Sequence, residues 1–274
     1  MGWQRVNDKG FIVIVFWCVM SVYYEKEGVK LFHGNCLEIL KEIPENSVDL
    51  IFADPPYFLS NGGITCKAGK MVSVNKADWD KSKGLNEDFK FNKKWTELCR
   101  NILKDNGCIW ISGTMHNIYQ VGFSLQSNNF RLLNEISWFK PNAPPNLSCK
   151  YFAHSHETVL WARKHQKIPH KFNYEEMKNV NDKISPEGKQ MRSVWNIPLT
   201  APSEKTHGRH PTQKPLELLR RIILSNSNKR DLILDPFSGS GTTGVIAKKY
   251  DRDYVGIDLE KDYLDLSIRR IEAV

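Results

Sequence analysis

Two short stretches constrain this chain more than anything else in it: Asp54-Pro55-Pro56-Tyr57, and Asp235-Pro236-Phe237-Ser238-Gly239-Ser240-Gly241-Thr242-Thr243-Gly244. Each directly follows a short apolar run, Ile51-Phe52-Ala53 in the first case and Leu232-Ile233-Leu234 in the second. Such runs read as buried strands. In an open parallel sheet, ligands bind at the carboxyl ends of the strands. Both stretches should therefore face one crevice, one gripping a substrate amine and the other a nucleotide-like cofactor.

The remaining pattern predicts an α/β fold. Lys30 to Asn35 reads as a strand and turn, followed by a helix with Leu37, Leu40 and Ile43 on one face, stopped by Pro44. Ser47 to Ala53 is a strand. Residues 58–86 are polar and Gly-rich and read as a long mobile loop beside a site. Asn92 to Leu103 is an amphipathic helix with Trp95, Leu98 and Ile102 inward. Cys108 to Ile111, Ile136 to Phe139 and Thr158 to Trp161 are further strands, with a helix over 117–128. After Pro215 come a helix to Asn226, the strand at Leu232, a helix over Thr243 to Tyr250, a strand ending at Asp258 and a last helix over 261–271. This alternation predicts a parallel or mixed sheet with helices on both faces. Between them, Lys164 to Arg209 is rich in Lys, His, Asn and Pro. Its aromatics (Phe172, Tyr174, Trp195) are too widely spaced for a core, so it reads as an insertion that touches a partner.

At 274 residues, with 41% hydrophobic and 26% charged residues, the chain suits one large domain carrying an insertion. A formal net charge of +8 favours an acidic partner, most commonly nucleic acid. The six cysteines (18, 36, 66, 99, 108, 149) form no Cys-x-x-Cys pair, so no metal site is expected. Scattered thiols suit the cytoplasm. The apolar run from Phe11 to Met20 is about ten residues, short of the roughly 20 that span a bilayer, and no membrane partner is expected. Met20 reads as the natural start, with residues 1–19 an extension outside the fold; an added edge strand and a membrane or export role are the alternatives.

Gly239-Ser240-Gly241-Thr242-Thr243-Gly244 fits the G-x-G-x-x-G turn by which a backbone approaches a ligand closely after a strand. No Lys follows the glycines, so a P-loop is excluded. Nicotinamide-dependent dehydrogenases share the glycine pattern and form one alternative. Asp235 argues against it, because a carboxylate at the strand end repels a pyrophosphate yet suits a cationic ligand such as S-adenosylmethionine. Asp258, ending the next strand, is placed to accept from ribose hydroxyls.

Asp54 to Tyr57 makes chemical sense as a grip on an exocyclic amine, whose lone pair is delocalised into its ring. A carboxylate (Asp54) and a backbone carbonyl (Pro55) accepting its two N–H bonds favour a pyramidal nitrogen that can attack a methyl group in line. Pro55 and Pro56 fix φ and hold that turn rigid. Tyr57 offers a face to an extruded base, and such stacking is worth ~1–3 kcal/mol. Methylation at carbon 5 of cytosine needs a cysteine nucleophile, usually after a proline, and none of the cysteines follows one. A basic DNA-binding module with an inactive pocket is a non-enzyme alternative, to which intact Asp54, Pro55 and Tyr57 would be of no use.

These residues give the chain a familiar look. It resembles the amino-group DNA methyltransferases of the beta arrangement, in which the catalytic motif precedes the cofactor motif, and among them the DpnA-like adenine methyltransferases of GATC restriction-modification systems. The resemblance covers everything after Met20. It rests on Phe52 to Gly63, on Ala143-Pro144-Pro145-Asn146-Leu147-Ser148-Cys149, and on His210-Pro211-Thr212-Gln213-Lys214-Pro215. It implies a Rossmann-like, seven-stranded, mostly parallel methyltransferase sheet. S-adenosylmethionine would lie across Asp235, Pro236, Phe237, Gly239, Ser240, Gly241 and Thr242, its ribose on Asp258. Thr212, Gln213 and Lys214 would close the methionine end. Residues 141–209 would carry target recognition, with Lys164, Lys167 and Lys171 on the DNA. The resemblance also implies double-stranded DNA as substrate, tolerance of single-stranded DNA, and a homodimer. Asp at position 54 leans to adenine; exocyclic methylation of cytosine is the alternative.

Overall fold

The structure is a computed structural model that describes residues 3–6, 12–15, 21–59, 64–67, 70–73, 80–178, 180, 184 and 187–274. In chain order the strands and helices are β1 (Trp3–Val6), β2 (Ile12–Val15), β3 (Tyr24–Lys26), β4 (Val29–His33), α1 (Cys36–Glu42), β5 (Val48–Ala53), β6 (Ile64–Lys67), β7 (Lys70–Ser73), α2 (Leu85–Ile102) and β8 (Leu103–Gly113). They continue with α3 (Ile118–Ser127), β9 (Arg131–Phe139), β10 (His156–Arg163), α4 (Tyr174–Lys178), β11 (Val194–Asn196), α5 (Leu216–Asn226), β12 (Leu232–Asp235), α6 (Thr242–Lys249), β13 (Asp253–Asp258) and α7 (Lys261–Glu272).

Nine strands form the central sheet in the order β11-β9-β10-β8-β5-β12-β13-β4-β3. The α/β class with a mostly parallel sheet is as expected, but the strand number is nine and not seven. The additional edge strands, β3 and β11, have three residues each, too short to carry a periodic signal. Only β10 and β3 run against the rest. Residues that follow β4, β5, β8, β9, β11, β12 and β13 therefore all emerge at one end of the sheet.

Apolar residues cover the sheet on both faces. Ile39 and Leu40 of α1, Trp95 and Ile102 of α2, and Val121 and Leu125 of α3 pack on one face with Ile51, Ile109 and Leu234. Leu218 and Ile222 of α5, Val245 of α6 and Leu264 of α7 pack on the other with Leu50, Trp110 and Ile233. Among the described residues no helix is long and apolar enough to cross a membrane. The expected extension over residues 1–19 lies largely outside the described residues; within it, β1 pairs antiparallel with β2 in a sheet of their own.

Three expectations are corrected. Residues 58–86 are not one loop: they include the β6–β7 hairpin and the start of α2 at Leu85, ahead of the predicted Asn92. That first turn is held by charge, not by apolar period. Glu87 and Asp88 sit at the positive helix end, and Asp88 accepts from Ser82 Oγ (2.5 Å) and the Lys83 N–H (3.1 Å). Residues 141–209 are not one insertion either, because β10 lies inside the sheet between β9 and β8. Trp195 belongs to the core: it is buried, and its ring lies 5.8 Å from that of Trp110, which stacks on Trp161 at 4.8 Å.

The third correction concerns the lysines assigned to DNA. Because β10 runs in reverse, the segment after it emerges at the amino end of the sheet, away from both motifs. Lys164 is buried; its ammonium donates to Asn46 Oδ1 and the Leu103 carbonyl, with Asp105 3.4 Å away. Lys171 pairs with Asp231 and lies 3.9 Å from Asp49, a carboxylate that also holds Lys104 at 2.8 Å. Lys167, though exposed, sits on the same far segment. Lys164 and Lys171 brace the fold. Removing one partner from such a buried cluster costs up to 3–5 kcal/mol; Lys171 is partly exposed and Asp49 keeps Lys104, so Lys171→Met should lower the unfolding free energy by about 2 kcal/mol in urea titration. The salt slope of DNA binding should stay unchanged.

Candidate active site

The two motifs meet because β5 and β12 are neighbours. They pair in parallel, with Ile233 opposite Leu50 and Leu234 opposite Ile51. Asp54 directly follows β5 and Asp235 ends β12, so both carboxylates stand at the same sheet end. One cavity of about 400 Å³ lies over them. Asp54 and Pro56 line one wall; Asp235, Pro236, Phe237, Gly239, Ser240 and Thr242 form the floor; Asp258 closes one side and Thr212 and Lys214 another.

Other assigned residues shape the cavity from behind. Gly241 is left-handed at φ +70°, and a Cβ there would come within 2.7 Å of the Ser267 side chain, so the missing side chain admits α7 and not a ligand. Gly239, at φ +52°, faces the cavity and the His210 ring. From α7, Ser267 Oγ donates to the Gly239 carbonyl (2.9 Å) and Arg270 to that of Ser240 (2.5 Å), which pins the turn. Gln213 points away and donates to the Glu204 carbonyl at 2.8 Å.

Asp54 Oδ1 accepts from the Tyr57 hydroxyl (2.7 Å) and from Ser112 Oγ (2.5 Å), while Oδ2 accepts from Lys214 Nζ (2.5 Å). Burial pushes this carboxyl up, but the Lys214 ammonium and the two hydroxyls outweigh it and hold Asp54 below its ordinary range. Lys214, in turn, is disfavoured by burial yet held above its usual value by Asp54 and Glu157. Tyr57 is not the open platform expected. Its side chain is buried; its hydroxyl, whose one proton goes to Asp54, also lies 3.0 Å from Ser112 Oγ and 3.2 Å from Glu157 Oε2, and Lys214 Nζ lies 5.2 Å from the ring centre.

The turn after Pro55 and Pro56 is fixed by residues that sequence reading missed. Buried Asp80 accepts from three successive N–H groups, those of Tyr57 (2.9 Å), Phe58 (2.9 Å) and Leu59 (3.2 Å). This lets Phe58 adopt φ +59°. Asn117 Nδ2 donates to the Pro56 carbonyl at 3.3 Å. Ser112, near the end of β8 beside β5, and Glu157, near the start of β10 one strand further out, likewise carry no local motif.

Asp235 is the contrast to Asp54. Burial pushes its carboxyl up to about 7, against the Thr243 hydroxyl and the Phe237 N–H, which it accepts at 2.5 and 3.0 Å. Asp258 is also raised by burial, while it accepts from the N–H groups of Gly239 (2.7 Å) and Glu260 (2.9 Å). On the apolar side, Phe237 meets Trp95 edge-on at 5.4 Å. The cavity thus offers acids, one aromatic wall and a close backbone approach to a ligand that carries positive charge and hydroxyls.

Comparison with known proteins agrees with this geometry. The DNA methylase profile for N6 and N4 enzymes matches residues 48–269. The chain is 52% identical over 254 residues to the Type II methyltransferase M2.MboI of Moraxella bovis, covering 92% of this chain and 91% of that one. It is 52% identical over 252 residues to M2.DpnII of Streptococcus pneumoniae, covering 92% of both. Among solved structures, the complex of M1.HpyAVI with S-adenosylmethionine superposes with a TM-score of 0.64 at 26% identity, over 89% of this chain and 98% of that one. The cytosine-N4-specific PvuII methyltransferase shares the fold, with a TM-score of 0.72 at 19% identity over 92% and 89% of the two chains. The dehydrogenase and binding-module alternatives fall with these matches: the chain belongs to the N6/N4 DNA methylase family of S-adenosylmethionine-dependent DNA methyltransferases.

Proposed function

We propose that this chain methylates the exocyclic amine of a flipped adenine in DNA, within GATC as the DpnA-like resemblance implies, as the modification arm of a restriction system. One observation carries the reading: Asp54 and the Gly239 turn line a single cavity. Asp at position 54 favours adenine over cytosine, and the high identity to Type II methyltransferases supports the restriction context.

The cavity suits S-adenosylmethionine. Its volume falls in the roughly 300–1,000 Å³ range of small-molecule sites. Asp235 suits a cation, Asp258 suits hydroxyls, and Phe237 with Pro236 supplies an apolar wall; Gly239, Ser240, Thr242 and Thr212 complete the contacts. When bound, the cofactor supplies an electrophilic methyl group. The chain's own contribution is orientation: Asp54 and the Pro55 carbonyl accept the amine's two N–H bonds, on a turn that Asp80 and Asn117 keep rigid.

DNA is best accommodated at the carboxyl end, over residues 140–155 between β9 and β10. There Tyr151 is 60% and Phe152 95% exposed, with Lys150 and His154 exposed beside them. Aromatic and basic side chains interleaved in this way suit a flipped-base substrate. This segment replaces Lys164, Lys167 and Lys171 as the DNA contact.

Asp54→Ala should abolish methyl transfer from labelled S-adenosylmethionine to single- and double-stranded GATC oligonucleotides while calorimetric cofactor binding survives; turnover by the variant would refute the assignment. Mass spectrometry of the product should place the methyl group on adenine. Lys150→Ala should weaken DNA affinity and lower the salt slope by about 1. The Asp235 carboxyl is protonated below pH 7 in the free protein and a cation favours its ionised form, so cofactor affinity should rise by up to about tenfold per pH unit towards pH 7 and level off above it. Asp235→Asn should flatten that profile. The same shift takes stability away as pH rises from about 4 to 7, because the folded chain retains a proton the unfolded chain has released.

A further inference from the structure

Lys214 occupies the place a target amine needs. Its ammonium donates to Asp54 Oδ2 at 2.5 Å while the other carboxylate oxygen is taken by Tyr57 and Ser112, and it lies 5.2 Å from the centre of the Tyr57 ring. An amine that docks on Asp54 must displace it. Lys214 is 7% exposed, and a buried ammonium left without a partner is heavily penalised. A second acceptor is required.

Glu157 is in place for that role. Its Oε2 lies 3.9 Å from Lys214 Nζ, and its Oε1 is anchored by Lys140 Nζ at 3.1 Å. The Tyr57 hydroxyl lies between the two carboxylates, donating its one proton to Asp54 at 2.7 Å with Glu157 Oε2 3.2 Å away. A movement of about 1 Å brings the ammonium into charge-assisted hydrogen-bond range of Glu157, roughly 2.7–2.9 Å. We propose that Glu157 is a positioning residue that receives Lys214 when the target amine takes its place on Asp54. Lys214 then serves as a stand-in that keeps the carboxylate ionised and ordered until substrate arrives. This rests on the reading of Asp54 as the amine acceptor. Lys214 therefore has a second role beside closing the cofactor pocket.

The test compares two oligonucleotides in the presence of S-adenosylhomocysteine: one carrying the GATC adenine, the other with purine, which lacks the amine, at the same position. The ratio of their affinities reports amine docking and is readable in variants without turnover. Glu157→Gln should shift this ratio against adenine by about tenfold, equivalent to about 1.4 kcal/mol. Glu157→Asp, which keeps the carboxylate, should stay within about threefold of the unsubstituted protein. In a Lys214→Met background, Glu157→Gln should change the ratio less than about twofold, because no ammonium remains to be received. An unchanged ratio in Glu157→Gln, or an equal loss in both backgrounds, would overturn the proposal. A ratio unaffected by Asp54→Ala would instead overturn the underlying reading of Asp54, so the two failures are distinct.

Discussion

Everything at this site depends on the parallel pairing of β5 with β12. The two strands lie about 180 residues apart in the chain, yet the register of Leu50 against Ile233 places Asp54 and Asp235 over one cavity. A one-residue slip would turn every side chain of a strand to the opposite face. Leu50 and Ile233 face one helical layer and Ile51 and Leu234 the other, so both faces are apolar and burial alone does not choose the register. The far end adds a lock. Asp49 Oδ2 accepts the Leu232 N–H at 2.9 Å, and the same carboxylate is held by Lys104 and approached by Lys171. The charged cluster at the amino end thus fixes the alignment on which the chemistry at the carboxyl end relies.

The two carboxylates are adjacent, yet their environments drive them apart. Asp54 has a cation, two hydroxyls and an ionised ground state. Asp235 has one hydroxyl and one backbone N–H, and burial raises it to about 7, so that it is only partly ionised at pH 7. The first is suited to accept hydrogen bonds from a neutral amine. The second is suited to gain its charge when a cation enters. Asp54 also raises Asp235, so a single field couples the substrate wall to the cofactor floor.

Much of this was legible in the chain. The strand-then-motif pattern at Ala53-Asp54 and at Leu234-Asp235 reports a local fact, a buried strand ending in turn residues, and such facts survive folding intact. The burial of Trp95, Leu98 and Ile102 is legible for the same reason, since helical period is local. What escaped reading depends on contacts remote in sequence. Asp80 sits among lysines and small residues with nothing to mark it, and only the folded chain brings it under the Tyr57 N–H. Ser112 and Glu157 acquire meaning only because β8 ends beside β5 and the antiparallel β10, paired with β8, starts at the same end of the sheet. Trp195 looked isolated because its partners, Trp110 and Arg221, come from distant elements.

The reversal of β10 explains why the lysines were misread. A basic stretch reads the same whichever end of a sheet it occupies, and composition has no direction. Had β10 run parallel to β8, Lys164 to Lys171 would have emerged beside Asp54 and their charge would have met DNA. Running antiparallel, β10 places its first residues, His156 and Glu157, at the catalytic end and its last, Arg163, opposite Cys108 at the other. One strand's direction thus divides the region into an exposed aromatic-basic segment at the end of the sheet that carries Asp54 and a basic segment, with Lys164 buried in it, at the other. It also delivers Glu157 to Lys214. Strand polarity thus decides at which end of the sheet each part of this basic stretch emerges.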